Sequence, residues 1–107
     1  MTFFTVDELP ATEMLPGITR RAVYLDHVMI TFLNLQPGST VPEHSHPHEQ
    51  ITYVVSGGME FYLGDEKRVL HAGSGACCPP GVSHRVVVLD EPTVALDAWY
   101  PPREEYK

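Results

Sequence analysis

Residues 38–57 read GSTVPEHSHPHEQITYVVSG, with His44, His46, His48 and Gln50 at every second position. Successive side chains of an extended strand point to opposite faces, so alternate residues share one. His44 and His46 therefore aim two imidazoles in one direction, and Gln50 joins them if the strand resumes after Pro47. Pro47 has no N–H for a sheet ladder and marks an edge, a bulge or a strand start. Imidazole suits borderline metals such as Zn, Cu, Fe and Ni. A solvated His-rich tract is the competing reading, and a further histidine in a matching context argues against it. Residues 73–84, GSGACCPPGVSH, end on one at His84.

Together, G-x5-H-x-H-x3-Q-x6-G over residues 38–57 and G-x5-P-x-G-x2-H over residues 73–84 resemble the two signature motifs of the cupin family. The resemblance implies an all-β, single-domain, double-stranded β-helix, a jelly-roll barrel with its metal inside. It also implies that His44, His46 and His84 are metal ligands. Two positions depart from the common pattern: Gln50 stands where Glu is usual, and Val88 where Asn often follows the second motif. The fifteen residues 58–72 between the motifs suffice for a hairpin plus one strand.

A chain of 107 residues makes one domain with a single core. Ten Pro and eight Gly among many Val, Leu and Tyr suit short strands and turns rather than helices. A formal charge of −7, with no Lys/Arg cluster, argues against a nucleic-acid partner. No apolar run approaches the ~20 residues of a membrane span. MTFFTVDELP lacks the basic and apolar regions of a signal peptide, so a cytoplasmic location is expected. Cys77 and Cys78 are adjacent, outside ordinary disulfide geometry. On a strand leading to Pro79 one faces inward and the other outward, and packing is favoured over a soft ligand or a redox pair.

In chain order, residues 1–20 read as an irregular N-terminal arm, broken by Pro10, Pro16 and Gly17, with one helical turn at most over residues 12–15. Residues 21–107 form the barrel domain. Strands are predicted at 20–26, 27–35, 41–46, 50–55, 59–63, 67–71, 76–78, 84–89 and 93–100. Met59, Phe61 and Leu63 alternate with Glu60 and Tyr62 as a half-buried strand does. Tyr53, Tyr62 and Phe61 are assigned to barrel packing. Glu43 and Glu49 are expected to face away from the metal, and His27 and His71 to be half-exposed strand residues. His48 shares the ligand parity, but a bulge at Pro47 would re-aim it to the pocket mouth, to a supporting hydrogen bond or to the surface.

The last strand carries separate information. In VALDAWYPPR, residues 94–103, Ala95, Asp97 and Trp99 share one parity. Turning Asp97 outward would also expose the Trp99 ring, so an inward carboxylate is expected, a general acid/base if it lies near a metal. Arg103 is suited to a bidentate pair with a substrate carboxylate, although spacing alone reads it as an exposed tail charge beside Glu104 and Glu105.

HSHPHEQITYVVSGGMEF, PPGVSH and the terminal D-x-W-x-P-x-R are, taken together, similar to the small pectin-degradation cupins. That resemblance implies ring opening of 4,5-unsaturated uronate monosaccharides to linear keto sugar acids. It implies a divalent metal (Zn, Ni, Fe or Mn) held by His44, His46, His84 and Gln50. It implies Asp97 and Arg103 as catalytic residues, Trp99 and Arg103 as substrate-binding ones, and a homodimer. Trp99 stands where those cupins have Phe. Neutral donors leave the charge of a divalent ion uncancelled, which favours Lewis-acid chemistry on an anionic sugar acid. The alternatives are a metal-dependent dioxygenase, against which the missing carboxylate at position 50 counts, another small-molecule cupin enzyme, and a non-catalytic sugar- or metal-binding cupin.

Overall fold

A computed structural model describes residues 3–107; residues 1 and 2 of the predicted arm lie outside the described residues. Ten strands follow in chain order: β1 (Thr12–Leu15), β2 (Ile18–Tyr24), β3 (Met29–Leu35), β4 (Thr40–His44), β5 (Glu49–Ser56), β6 (Gly58–Leu63), β7 (Glu66–His71), β8 (Gly75–Cys78), β9 (His84–Val88) and β10 (Thr93–Tyr100). They pair antiparallel into a six-stranded sheet, β1-β2-β3-β10-β5-β8, and a four-stranded sheet, β4-β9-β6-β7. This two-layer β architecture is the predicted jelly-roll barrel. No helix among the described residues is long and apolar enough to cross a membrane.

The arm is more ordered than expected. Residues 12–15 form β1 rather than a helical turn, hydrogen-bonded to β2 as Thr12↔Arg20 and Glu13↔Thr19. Four residues between prolines carry little propensity of their own, and the pairing partner supplies the order. The strand predicted over 41–46 stops at His44, and β5 starts at Glu49. Pro47 lies in that break, where its missing N–H is harmless.

Register sorts the interior into an apolar end and a polar end. Across β3, β10 and β5, the row Leu33–Ala95–Val54 is apolar, Thr31–Asp97–Thr52 is polar, and Met29–Trp99–Gln50 follows. On the facing sheet, β9 runs inward through Val88, Val86 and then His84. Val54, Met59, Phe61, Val86, Val88 and Ala95 belong to one buried cluster. Each such aliphatic or aromatic side chain contributes roughly 1.5–3 kcal/mol on burial, which leaves the opposite end free to hold polar groups.

Gly57 makes the tight β5–β6 connection possible. Its φ is +81°, and a Cβ there would run into Thr93 and the Pro92 carbonyl. The Thr93 hydroxyl instead bonds both the N–H and the carbonyl of Gly58, at 3.0 and 3.1 Å. Tyr53 and Tyr62, expected in the packing, point outward. Tyr53 has the parity opposite to buried Gln50, Thr52 and Val54, and the Tyr62 ring lies under Arg85, 3.6 Å from its centroid. Phe61 is buried as expected, and of the two free thiols Cys78 faces inward while Cys77 is exposed.

Candidate metal centre

His44 closes β4 and His84 opens β9, and the two are cross-strand partners. His46 enters from the β4–β5 break. The three offer one ring nitrogen each, all within 4.8 Å of one another. Their Nδ1 atoms are already committed to backbone carbonyls: His44 to Pro42 at 2.8 Å, His46 to His48 at 3.2 Å and His84 to Val82 at 3.0 Å. A carbonyl only accepts, so Nδ1 of His44 and His84 carries the proton and Nε2 keeps its lone pair, while His46 faces an acceptor at both ring nitrogens.

The Gln50 amide, the expected fourth donor, is oriented by a short chain of hydrogen bonds. Gln50 Nε2–H donates to Thr52 Oγ1 at 2.8 Å, and the Thr52 hydroxyl donates to Asp97 Oδ1 at 2.6 Å. Because the hydroxyl proton is spent on Asp97, the amide must present its N–H to Thr52 and its Oε1 to the histidines. Gln50 Oε1 thus stands 2.9 Å from His46 Nε2. A neutral His46 ring has one proton for two acceptors; with that proton on Nδ1, toward His48, Nε2 and Oε1 present lone pairs to one another. Two donors on one ion, each ~2.1 Å from it, stand roughly 3–3.5 Å apart, and the spacing here is close to the short end of that range. His84 Nε2 is likewise buried without a partner, an arrangement that costs about 1–3 kcal/mol when nothing satisfies it. Orphaned nitrogen lone pairs, a facing amide oxygen and protonated outer nitrogens fit a divalent cation.

Electrostatics keep the set ready. Burial lowers the pKa of His46 from its ordinary value, with Arg103 and His44 adding and the Gln50 contact opposing. His84 is lowered first by burial and then by the charges of His44, His46 and Arg103. Both therefore favour the neutral, ligating form. Asp97, wholly buried, is pushed up to about 6 by burial, against the hydrogen bonds from Thr52 and Gln50 and the charge of Arg103. Burial pushes the Cys78 thiol up to about 12, which leaves it a packing group.

Asp97 and Trp99 point inward, as their parity predicts. The Trp99 indole N–H donates to Thr31 Oγ1 at 3.0 Å, and its ring lies 5.2 Å from that of His46. Arg103 is not the exposed tail charge that spacing alone indicates. Its side chain is 13% exposed, with the guanidinium 5.0 Å over Trp99 and 4.7 Å over Tyr106. Arg103, Trp99, Asp97, Gln50, His44 and His84 line one cavity of about 50 Å³, room for an ion and roughly three waters. Tyr106, from the same tail as Arg103, lines it as well.

His48 lies apart from the three-imidazole group. Its carbonyl faces His46 Nδ1 and its ring lies 5.5 Å from that of His46; the residue is half-buried, and its buried Nδ1 has no partner. Glu43, Glu49, His27 and His71 are exposed. The sequence reading passed over Thr52, Thr31 and Tyr106. Thr52 carried a signal, since it shares the parity of Gln50 two residues on; the other two become visible only through register and the folded-back tail.

A β jelly roll with three inward imidazoles and an amide at one end defines the class, and residues 31–99 match the Cupin domain family. The chain belongs to the cupins, and within them to the KdgF-type group. It is 32% identical over 106 residues to the pectin degradation protein KdgF of Dickeya dadantii, covering 97% of this chain and 96% of that one. The solved structure of KdgF from a Halomonas species superposes with a TM-score of 0.93 at 30% identity, covering 100% of this chain and 99% of that one. An RmlC-like cupin from Shewanella frigidimarina shares the fold, with a TM-score of 0.94 at 24% identity over 100% of this chain and 96% of that one.

Proposed function

We propose that this chain is a metal-dependent enzyme that isomerises 4,5-unsaturated uronate monosaccharides to linear keto sugar acids. The observation that carries the reading is a buried carboxylate, Asp97, hydrogen-bonded through Thr52 to the amide that faces the imidazole cluster. A divalent ion held by His44, His46, His84 and Gln50 would supply Lewis acidity undiminished by any charged ligand. The isomerisation neither gains nor loses atoms. The anomeric hydroxyl gives up its proton as the ring C–O bond breaks, and the enol left at C5 becomes a ketone as C4 takes a proton. Asp97 carries that proton from oxygen to carbon. Arg103 holds the substrate carboxylate, and Trp99 forms the adjoining wall. The resemblance to KdgF proteins supports the substrate class, and the neutral donor set supports non-redox chemistry. Two free thiols accord with the cytoplasmic location that belongs to this reading.

The test is incubation of the metal-loaded protein with the unsaturated monouronate. Ultraviolet absorbance of the C4–C5 double bond is lost without oxygen uptake. Oxygen consumption would favour the dioxygenase alternative, and binding without turnover the non-catalytic one.

The same reading includes a homodimer through the outer face of the six-stranded sheet. The rows Ile30–Ala98–Ile51 and Phe32–Leu96–Tyr53 run across it. Ile51 is 53% exposed and Tyr53 44%. These rows carry no charge, so the contact itself brings no like charges together despite the −7 of each chain. Sedimentation equilibrium is expected to give twice the 12.0 kDa chain mass. Ile51→Lys is expected to give the single mass; a wild-type monomer rejects the interface.

A further inference from the structure

After β10 the chain turns back over the polar end of the barrel, and residues Glu104–Tyr106 form a short 3-10 turn. There Arg103 Nε–H donates to Glu105 Oε1 at 3.2 Å and Nη2–H to Oε2 at 3.4 Å. This is the two-toothed contact that a guanidinium offers any carboxylate. Both bonds are longer than the charge-assisted norm, and the Glu105 side chain is 58% exposed, free to swing into water. The backbone of the turn is secured separately. Arg20 Nη2–H donates to the Glu105 carbonyl at 3.4 Å, and its guanidinium lies 4.3 Å over the Tyr106 ring. The Glu105 carboxylate can therefore leave Arg103 while the turn stays in place.

We propose that Glu105 is a placeholder carboxylate. It occupies the fork of Arg103 until the carboxylate of a sugar acid displaces it, and so sets the affinity and anion selectivity of the site. The inference rests on the proposed role of Arg103 as the carboxylate clamp. A neutral sugar gains nothing from Arg103, because it cannot replace the ion pair it would break. A uronate exchanges one carboxylate for another and keeps the pair. Glu105 is thus a specificity-determining residue rather than a catalytic one.

The experiment uses the zinc-loaded full chain and D-galacturonate as the probe. Binding is read from the fluorescence of Trp99, the single tryptophan, which lies against Arg103. Glu105→Gln is expected to tighten galacturonate about threefold to fivefold, the scale of an exposed ion pair. The methyl ester of galacturonate is expected to bind both proteins equally. Glu104→Gln removes the same unit of charge from a residue paired with Lys107, and is expected to leave the affinity unchanged. In an Arg103→Gln background the effect of Glu105→Gln is expected to vanish. Equal tightening by Glu104→Gln, no change in Glu105→Gln, or no galacturonate binding by either protein overturns the proposal. Because the readout is binding, a protein that holds galacturonate yet leaves unsaturated uronate untouched sinks the proposed reaction and not the placeholder. Where turnover is present, Glu105→Gln is expected to lower KM by the same factor with kcat held.

Discussion

Asp97→Asn is expected to lower turnover of unsaturated uronate by about 10²–10⁴-fold, the usual contribution of a positioned general acid/base. Zinc content is expected to stay at the wild-type level. The two expectations separate because Asp97 touches the metal set only through other groups. Its Oδ1 accepts from the Thr52 hydroxyl at 2.6 Å, and the Gln50 amide nitrogen stands 3.5 Å away. An asparagine carbonyl accepts from Thr52 in the same place, so Gln50 keeps its orientation and still turns Oε1 toward His46. What the amide cannot do is take a proton from a substrate oxygen and return it to carbon. Folding is not endangered, since a neutral side chain removes the desolvation of a buried carboxylate rather than adding to it. Elemental analysis, thermal unfolding and the ultraviolet assay on one preparation decide the matter. Undiminished turnover excludes the role, and loss of zinc along with activity would make Asp97 an organiser of the metal set.

The parts of this site that were legible in the sequence are those fixed by period and by motif. Strand β10 keeps strict alternation from Thr93 to Trp99, so the inward direction of Asp97 followed from the company of Trp99. The spacing of His44, His46 and His84 carried the barrel resemblance, although Pro47 ends the strand before His46 and a bulge-like break delivers that ring. Strand β5 was harder. Ile51, Tyr53 and Val55 are as apolar as Val54, so hydrophobicity did not distinguish its faces, and Tyr53 was assigned to the wrong one. Strand β5 carries Gln50, Thr52 and Val54 inward and Ile51, Tyr53 and Val55 outward, and that apolar outer face is what the proposed dimer would cover. Thr31 entered through the pairing of β3 with β10, which no local pattern encodes. The burial of Arg103 depends on Tyr106 being held by Arg20, 86 positions earlier by their numbers, and spacing within the tail alone reads such a residue as solvated.

His84→Ala is expected to remove most of the metal affinity, and with it most of the activity, and the first of these does not depend on any assumption about substrate. His84 is 2% exposed, and its Nε2 is one of the buried nitrogens that no protein group satisfies. An ion that binds only the folded chain raises its stability by about 4 kcal/mol at a thousandfold excess over Kd. For a domain of this size each kcal/mol moves the midpoint by roughly 4–8 °C, so zinc is expected to raise the wild-type Tm by tens of degrees. Deleting one of the four proposed donors should weaken zinc by about 100-fold or more, because even supporting hydrogen bonds are worth 10- to 100-fold. That removes at least about 2.7 kcal/mol of the zinc-dependent gain, some two-thirds of it. The comparison is made between each variant with and without zinc, because the alanine also leaves a gap beside Phe61, whose ring stacks 6.1 Å from that of His84. That gap lowers both midpoints and cancels in the difference. His71→Ala and His27→Ala, at exposed histidines, are expected to keep the full zinc-dependent rise. A zinc effect of undiminished size in His84→Ala, or one that falls equally in the two surface variants, would place the ion elsewhere and remove the support for Gln50 as its neutral fourth donor.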